Sequence, residues 1–103
     1  MASEKLDLLI LKTLSGASRH GYGIGQQIEQ RSGGVFRVTL GALYPALQRL
    51  EKEGLIDAEW KASDNNRRAR YYRITASGRR RLAAEVADWE RVSAAMTRIL
   101  KAT

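Results

Sequence analysis

The order of elements along the chain predicts a mainly α-helical domain with a small β-hairpin wing (α+β). This is a winged helix-turn-helix closed by a long C-terminal helix. Three observations carry that expectation. Thr39 to Glu53 has the leucine spacing of an amphipathic helix. Leu55 to Thr75 reads as a hairpin whose loop region carries Arg67, Arg68 and Arg70. From Thr75 to about Lys101, apolar residues recur at nearly heptad spacing. A helix that packs on one face and shows the other to solvent suits the DNA major groove, and a basic hairpin beside it suits the backbone and the minor groove.

The first helix is expected over Glu4 to Leu14, with Ser3 as its N-cap. Leu6, Leu9, Ile10 and Leu14 form one apolar stripe, and Leu8 and Leu11 widen it. A helix apolar on two sides serves an internal core and a partner together. Ser15 to Ser18 reads as a turn. A second helix then runs from the His20–Gly25 segment to about Arg31, with Ile24 and Ile28 one turn apart on its buried face. Its three glycines weaken the helix start, at about 1 kcal/mol each relative to alanine, or else let backbones approach closely. Gly21, Gly23 and Gly25 lack the G-x-G-x-x-G spacing and no strand precedes them, so a dinucleotide site is rejected. Ser32-Gly33-Gly34 ends the helix, and Val35 to Val38 is expected to add a minor strand.

Thr39 is the expected N-cap of the third helix. Pro45 removes a hydrogen bond there, so a frayed start around Gly41 to Tyr44 is expected. Leu40, Leu43, Leu47 and Leu50 face the core. Gly41, Pro45, Gln48, Arg49 and Lys52 face away, with Ala42 and Tyr44 at the flanks. Gly54 closes the helix. In the hairpin, Ile56, Ala58 and Trp60 alternate with Asp57, Glu59 and Lys61 as in a half-buried strand. Ser63 to Asn66 is the turn, and Arg70 to Thr75 returns. Thr75 caps the last helix, in which Leu82, Val86, Trp89, Val92, Met96 and Ile99 form the near-heptad seam. That seam is longer than a domain of 103 residues can cover, which points to a dimer. The division expected is 1–75 for a DNA-binding unit and 76–103 for a dimerisation helix.

The net charge is +7 and the pI near 10.3, which favours polyanionic partners. With no cysteine there is neither a disulfide framework nor a thiolate metal site, and His20 alone cannot build a histidine-rich one. The residues call for no cofactor. No signal-peptide pattern precedes the short apolar run Leu8 to Leu11, so the expected location is cytoplasmic, without membrane association. Neither paired catalytic carboxylates, nor a Ser-His-Asp pattern, nor a P-loop is present, and the expectation is a non-enzyme.

Four segments closely resemble the PadR family of bacterial transcription regulators. They are His20-Gly21-Tyr22-Gly23-Ile24; Gly41-x-Leu43-Tyr44-Pro45-Ala46-Leu47-x-Arg49-Leu50-Glu51; Gly54-Leu55-Ile56; and Arg67-Arg68-Ala69-Arg70-Tyr71-Tyr72-x-Ile74-Thr75-x-x-Gly78-Arg79. The resemblance spans nearly the whole chain. It implies a homodimeric winged helix-turn-helix on palindromic operator DNA, most simply a repressor, released in some members by a small effector. One C-terminal helix matches the short subfamily. Short multidrug-sensing relatives hold planar ligands between paired tryptophans at the dimer interface, and Trp89 sits at the matching place.

The residues expected at DNA are Tyr22, Thr39, Ala42, Tyr44, Pro45, Gln48, Arg49, Arg67, Arg68 and Arg70. Gln48 has the chemistry for adenine and Arg49 for guanine, and the sequence leaves open which one reaches a base. Arg73 and the run Arg79-Arg80-Arg81 are further candidates for phosphate. The dimer interface is expected to use Leu6, Leu9, Leu82, Val86, Trp89, Val92, Met96 and Ile99. Trp89, with Val92 and Met96, either packs that interface or forms a platform for a planar aromatic effector. The rival of another class is a winged-helix dimer that binds proteins without specific DNA binding; the arginine-rich wing argues against it.

Overall fold

A computed structural model describes residues 3–62 and 65–102, apart from the side chains of residues 3 and 4. Its elements are α1 (Ser3–Gly16), β1 (Arg19–His20), α2 (Gly21–Arg31), α3 (Leu40–Lys52), β2 (Ile56–Ala62), β3 (Arg68–Ile74) and α4 (Ala76–Lys101). The three strands form one antiparallel sheet in the order β1-β3-β2. The domain is a winged helix-turn-helix with an extended last helix. The capping role expected of the Ser3 side chain, and the Ser63–Asp64 half of the expected hairpin turn, lie outside the described residues.

The core forms where the apolar stripes of α1, α2 and α3 meet. Ile10 and Leu11 of α1, Ile24 of α2, and Leu43, Leu47 and Leu50 of α3 are fully enclosed, and Leu55, Ile56 and Tyr72 close the sheet side. The caps follow from local chemistry. Thr39 Oγ1 accepts from Ala42 N at 3.2 Å, and Thr75 Oγ1 accepts from Gly78 N at 3.0 Å. His20 caps α2, its Nδ1 accepting from Gly23 N at 3.0 Å. Gly54, at φ 76, takes the left-handed turn that lets Leu55 N bond to Leu50 O at 3.0 Å and ends α3.

Several expectations need correction. α1 runs through Gly16, into the first half of the expected turn. The short strand β1 pairs with β3 instead, through Arg19 opposite Tyr72 and His20 opposite Tyr71. Val35 to Val38 is loop, not strand. α3 is regular from Leu40. The carbonyl that Pro45 deprives of a donor belongs to Gly41, and both residues are exposed, so the loss falls on the solvent face. Leu40, at the first helical position, lies ahead of the core and is exposed, and Ala46 is buried in its stead. Leu6 is enclosed within its own chain, so it has little surface to offer a partner. Leu8 and Leu9 are the half-buried outward residues of α1. Trp60 is not half-buried but 58% exposed, because β2 runs beyond the body of the domain.

Gly78 seats α4 on the sheet. A Cβ there would stand 2.0 Å from the Leu55 carbonyl oxygen and 2.7 Å from Ile74 Cγ1. Beyond this point α4 projects outward, and among its described residues only Gly78 is buried.

Candidate nucleic-acid interface

α3 and the β2–β3 wing border one cleft of about 570 Å³, walled by Tyr22 and Tyr44 on the helical side and by Trp60, Arg67, Arg68 and Arg70 on the wing. Thr39, Gly41, Ala42, Tyr44, Pro45, Gln48 and Lys52 all lie exposed along the outer face of α3 and its cap. Tyr22 is exposed at the start of α2. The Tyr44 ring lies against Gly21, where an added Cβ would meet its Cε1 and hydroxyl at 2.9 Å. The glycine before Tyr22 is thus a seat for the tyrosine of the next helix: what comes close is a side chain, not the backbone that the glycine-rich segment suggested.

Arg49 is not presented with the others. Its Nη1 and Nη2 donate to Asp7 Oδ2 and Oδ1 at 2.6 and 2.8 Å, a two-pronged pair from α3 to α1. The hydrogen bond to Asp7 raises the Arg49 pKa above its ordinary value, against the smaller opposing effect of burial. This corrects the expectation that Arg49 faces a groove. Of the two candidate base readers, Gln48 alone lies free on the outer face, and Arg49 ties α3 to α1.

The arginines of the hairpin also divide. Arg70 Nη2 donates to Glu51 Oε2 at 2.6 Å, tying the wing to α3 while its guanidinium lies 6.0 Å from the Tyr72 ring. Arg68 lies over the Trp60 ring at 5.6 Å. Arg67 is exposed at the hairpin end. Arg73 is held by Asp57 at 2.5 Å, and that hydrogen bond raises its pKa. Arg79 reaches Ser15 O at 3.5 Å, Arg80 reaches Ser77 Oγ at 3.0 Å, and Arg81 pairs with Glu85 at 2.7 Å. Burial raises the pKa of the Tyr72 phenol, the neighbouring Arg70 opposing it. Trp60 opens into the cleft, and Glu51 anchors Arg70 beside it; neither role was expected from the sequence. Alternation had put Trp60 on the inward face, but alternation does not say where the body ends.

A second groove shares no lining residue with this cleft. Lys5, Leu8, Leu9, Phe36 and Trp89 line about 250 Å³ of mostly apolar space between α1 and α4. Lys5 Nζ stands 5.8 Å from the Trp89 ring. Among the described residues no cluster of three or more metal-ligating side chains occurs, and no helix is long and apolar enough to cross a membrane.

The sequence pattern of the transcriptional regulator PadR-like family matches residues 10–84. The chain belongs to that family. It is a DNA-binding transcriptional regulator, not an enzyme. An uncharacterized protein of Lysinibacillus sphaericus is 36% identical over 87 residues, spanning 84% of this chain and 80% of that one. A PadR-like transcriptional regulator from Bacillus cereus has a similar structure, with TM-score 0.85 at 29% identity over 97% of this chain and 95% of the other. A PadR family regulator from Clostridium difficile superposes with TM-score 0.82 at 29% identity, covering 92% and 97%. The PadR match ends before Trp89, so most of the apolar stripe of α4 lies beyond the matched residues, whereas the structural likeness takes in nearly the whole chain.

Proposed function

We propose that this PadR-like protein is a homodimeric repressor of pseudo-palindromic operator DNA. Residues 1–75 would read the DNA, and residues 76–103 would join the two copies. The observation that carries the reading is a division of surfaces. The outer face of α3 and the basic wing border one cleft. The α4 stripe, from Trp89 to Leu100, is left bare elsewhere. In this reading Gln48 and Tyr44 enter the major groove, and Arg67 and Arg68, with Tyr22, hold phosphates. Two copies related by a two-fold axis present their α3 helices to successive major grooves, with half-sites separated by roughly 10 base pairs or a multiple. A planar aromatic effector fits the groove at Trp89, where Leu8, Leu9 and Phe36 supply apolar walls. It acts on DNA only if it prefers one spacing of the two wings over another.

Footprinting on the DNA upstream of the protein's own gene tests the reading. Two protected half-sites with dyad symmetry are expected. A footprint without a dyad, or binding that ignores sequence, overturns it. Titration of the Trp60→Phe variant with planar dyes, following Trp89 emission and operator affinity together, tests the effector separately. Quenching without a change in affinity leaves a pocket but no switch.

A further inference from the structure

The inner face of the wing carries a ladder of paired side chains. In the register of β2 and β3, Ile56 faces Ile74, Ala58 faces Tyr72, Trp60 faces Arg70 and Ala62 faces Arg68. Directly opposed residues share one face of an antiparallel pair, so these four rungs form a single column. The lower two rungs belong to the core and its margin. Of the upper two, Trp60, Arg70 and Arg68 line the cleft, with Trp60 and Arg68 exposed and Arg70 tied to α3.

A singly exposed aromatic residue is ordinary and by itself means nothing. Trp60 differs in its neighbours. Aromatic rings and guanidinium groups alternate up the column, Arg70 with Tyr72 and Arg68 with Trp60. The two arginines are in different states. Arg70 is engaged by Glu51. Arg68 makes no ion pair among the described residues and lies over the indole. The side chain that orients the outermost inner-face cation is therefore a tryptophan that is itself open to the cleft. An indole offers one N–H donor and a broad apolar face, and a cation held over that face is fixed in direction without being neutralised.

We propose that Trp60 is a DNA-contacting residue of the wing: its ring lies along the sugar–phosphate strand that enters the cleft, and it holds Arg68 toward the phosphate. The proposal rests on the duplex-binding reading of this face. It adds a residue that carries no charge and yet governs a charged contact. The contact is independent of base sequence, because neither the indole nor the Arg68 guanidinium approaches a base edge in this role.

The test uses the full chain and a fluorescently labelled random duplex. Anisotropy reports binding and intrinsic tryptophan emission reports the contact. Wild-type protein is expected to bind in a salt-sensitive manner with a change in tryptophan emission. Trp60→Phe is expected to bind while losing that change. Trp60→Ala is expected to weaken binding about tenfold, a loss of the size associated with stacking and cation–π contacts. Arg68→Ala in the Trp60→Ala background should add much less than in the wild type, because Arg68 has already lost its support. Binding by the wild type with no emission change, or an unaltered emission change in Trp60→Phe, overturns the proposal. Additive losses in the double variant overturn the coupling to Arg68. Failure of the wild type to bind any duplex at low salt is a separate result, which rejects the DNA-binding reading of the face and the proposal with it. If Trp60→Ala does not fold, the emission comparison between wild type and Trp60→Phe decides.

Discussion

Helices α3 and α4 have the same kind of sequence and end in different surroundings. Each has an apolar stripe at helical spacing, opposite a mainly uncharged face in α3 and a charged one in α4. In α3 the stripe residues Leu43, Leu47 and Leu50 are all 0% exposed. In α4 Trp89 is 50% exposed, Met96 55% and Ile99 74%. The α3 stripe meets α1, α2 and the sheet, so the chain completes that part of the core by itself. The α4 stripe leaves the body after Gly78 and Leu82, meets α1 only beside Lys5 and Leu8, and is largely exposed from Met96 onward. Covering a large apolar side chain contributes about 1.5–3 kcal/mol, and association costs on the order of 4–15 kcal/mol in lost freedom. One such residue cannot support a dimer, but the stripes of two copies together can. Amphipathicity alone therefore does not say whether a face is a core or an interface; the distance of the helix from the rest of the chain does.

The largest expected effect separates the two helices directly. Leu47→Ala should lower unfolding stability by about 2–5 kcal/mol at every protein concentration, because it opens a cavity in a core made by one chain. Met96→Ala should leave the stability of the isolated domain nearly unchanged and instead shift the concentration at which copies associate. Denaturant unfolding over a range of protein concentrations reads both. The Asp7–Arg49 pair sharpens the picture of how α3 is held. The Asp7 side chain is 6% exposed and that of Arg49 41%. Arg49→Ala strands a buried carboxylate and should fall at the low end of the about 3–5 kcal/mol for breaking a buried pair, whereas Asp7→Ala leaves an arginine that can turn to water and should cost less. Equal losses in thermal unfolding would contradict that asymmetry.

Gly78→Ala tests where α4 is anchored. Alanine ordinarily favours a helix over glycine by about 1 kcal/mol. Here the new methyl meets the Leu55 carbonyl, so a net loss of about 1–3 kcal/mol is expected from overpacking. A gain in melting temperature would show that the close approach is not maintained. The smallest effect is on pH dependence. Burial raises the folded-state pKa of Tyr72 above the ordinary 10.0. Above that ordinary value the unfolded chain releases its proton first, so stability falls as pH rises further. Tyr72→Phe should flatten that alkaline limb in denaturant titrations.

Much of the architecture was legible because it rests on local chemistry. Thr39 and Thr75 cap as their positions suggested, Ile24 and Ile28 face inward, and Gly54 ends α3. What the sequence hid depends on partners distant along the chain. No helical wheel shows that Arg49 turns to Asp7, 42 residues away, or that Arg70 turns to Glu51, 19 residues away. The strand β1 was missed because two residues show no period, and it exists through its pairing with β3. Trp60 was assigned to the correct face but the wrong surroundings, since strand alternation carries no information about where the domain stops. Leu6 failed similarly: on a helix apolar on two sides, spacing does not separate the core side from the partner side.

The most direct test of this account is sedimentation equilibrium of the full chain, with and without the Met96→Asp substitution on the α4 stripe. A dimer is expected for the natural chain at micromolar concentration and a folded monomer for the variant, whose carboxylate would have to be buried between the helices. A natural chain that stays monomeric at that concentration, or a variant that dimerises as well as the natural chain, would contradict the claim that a second copy covers α4.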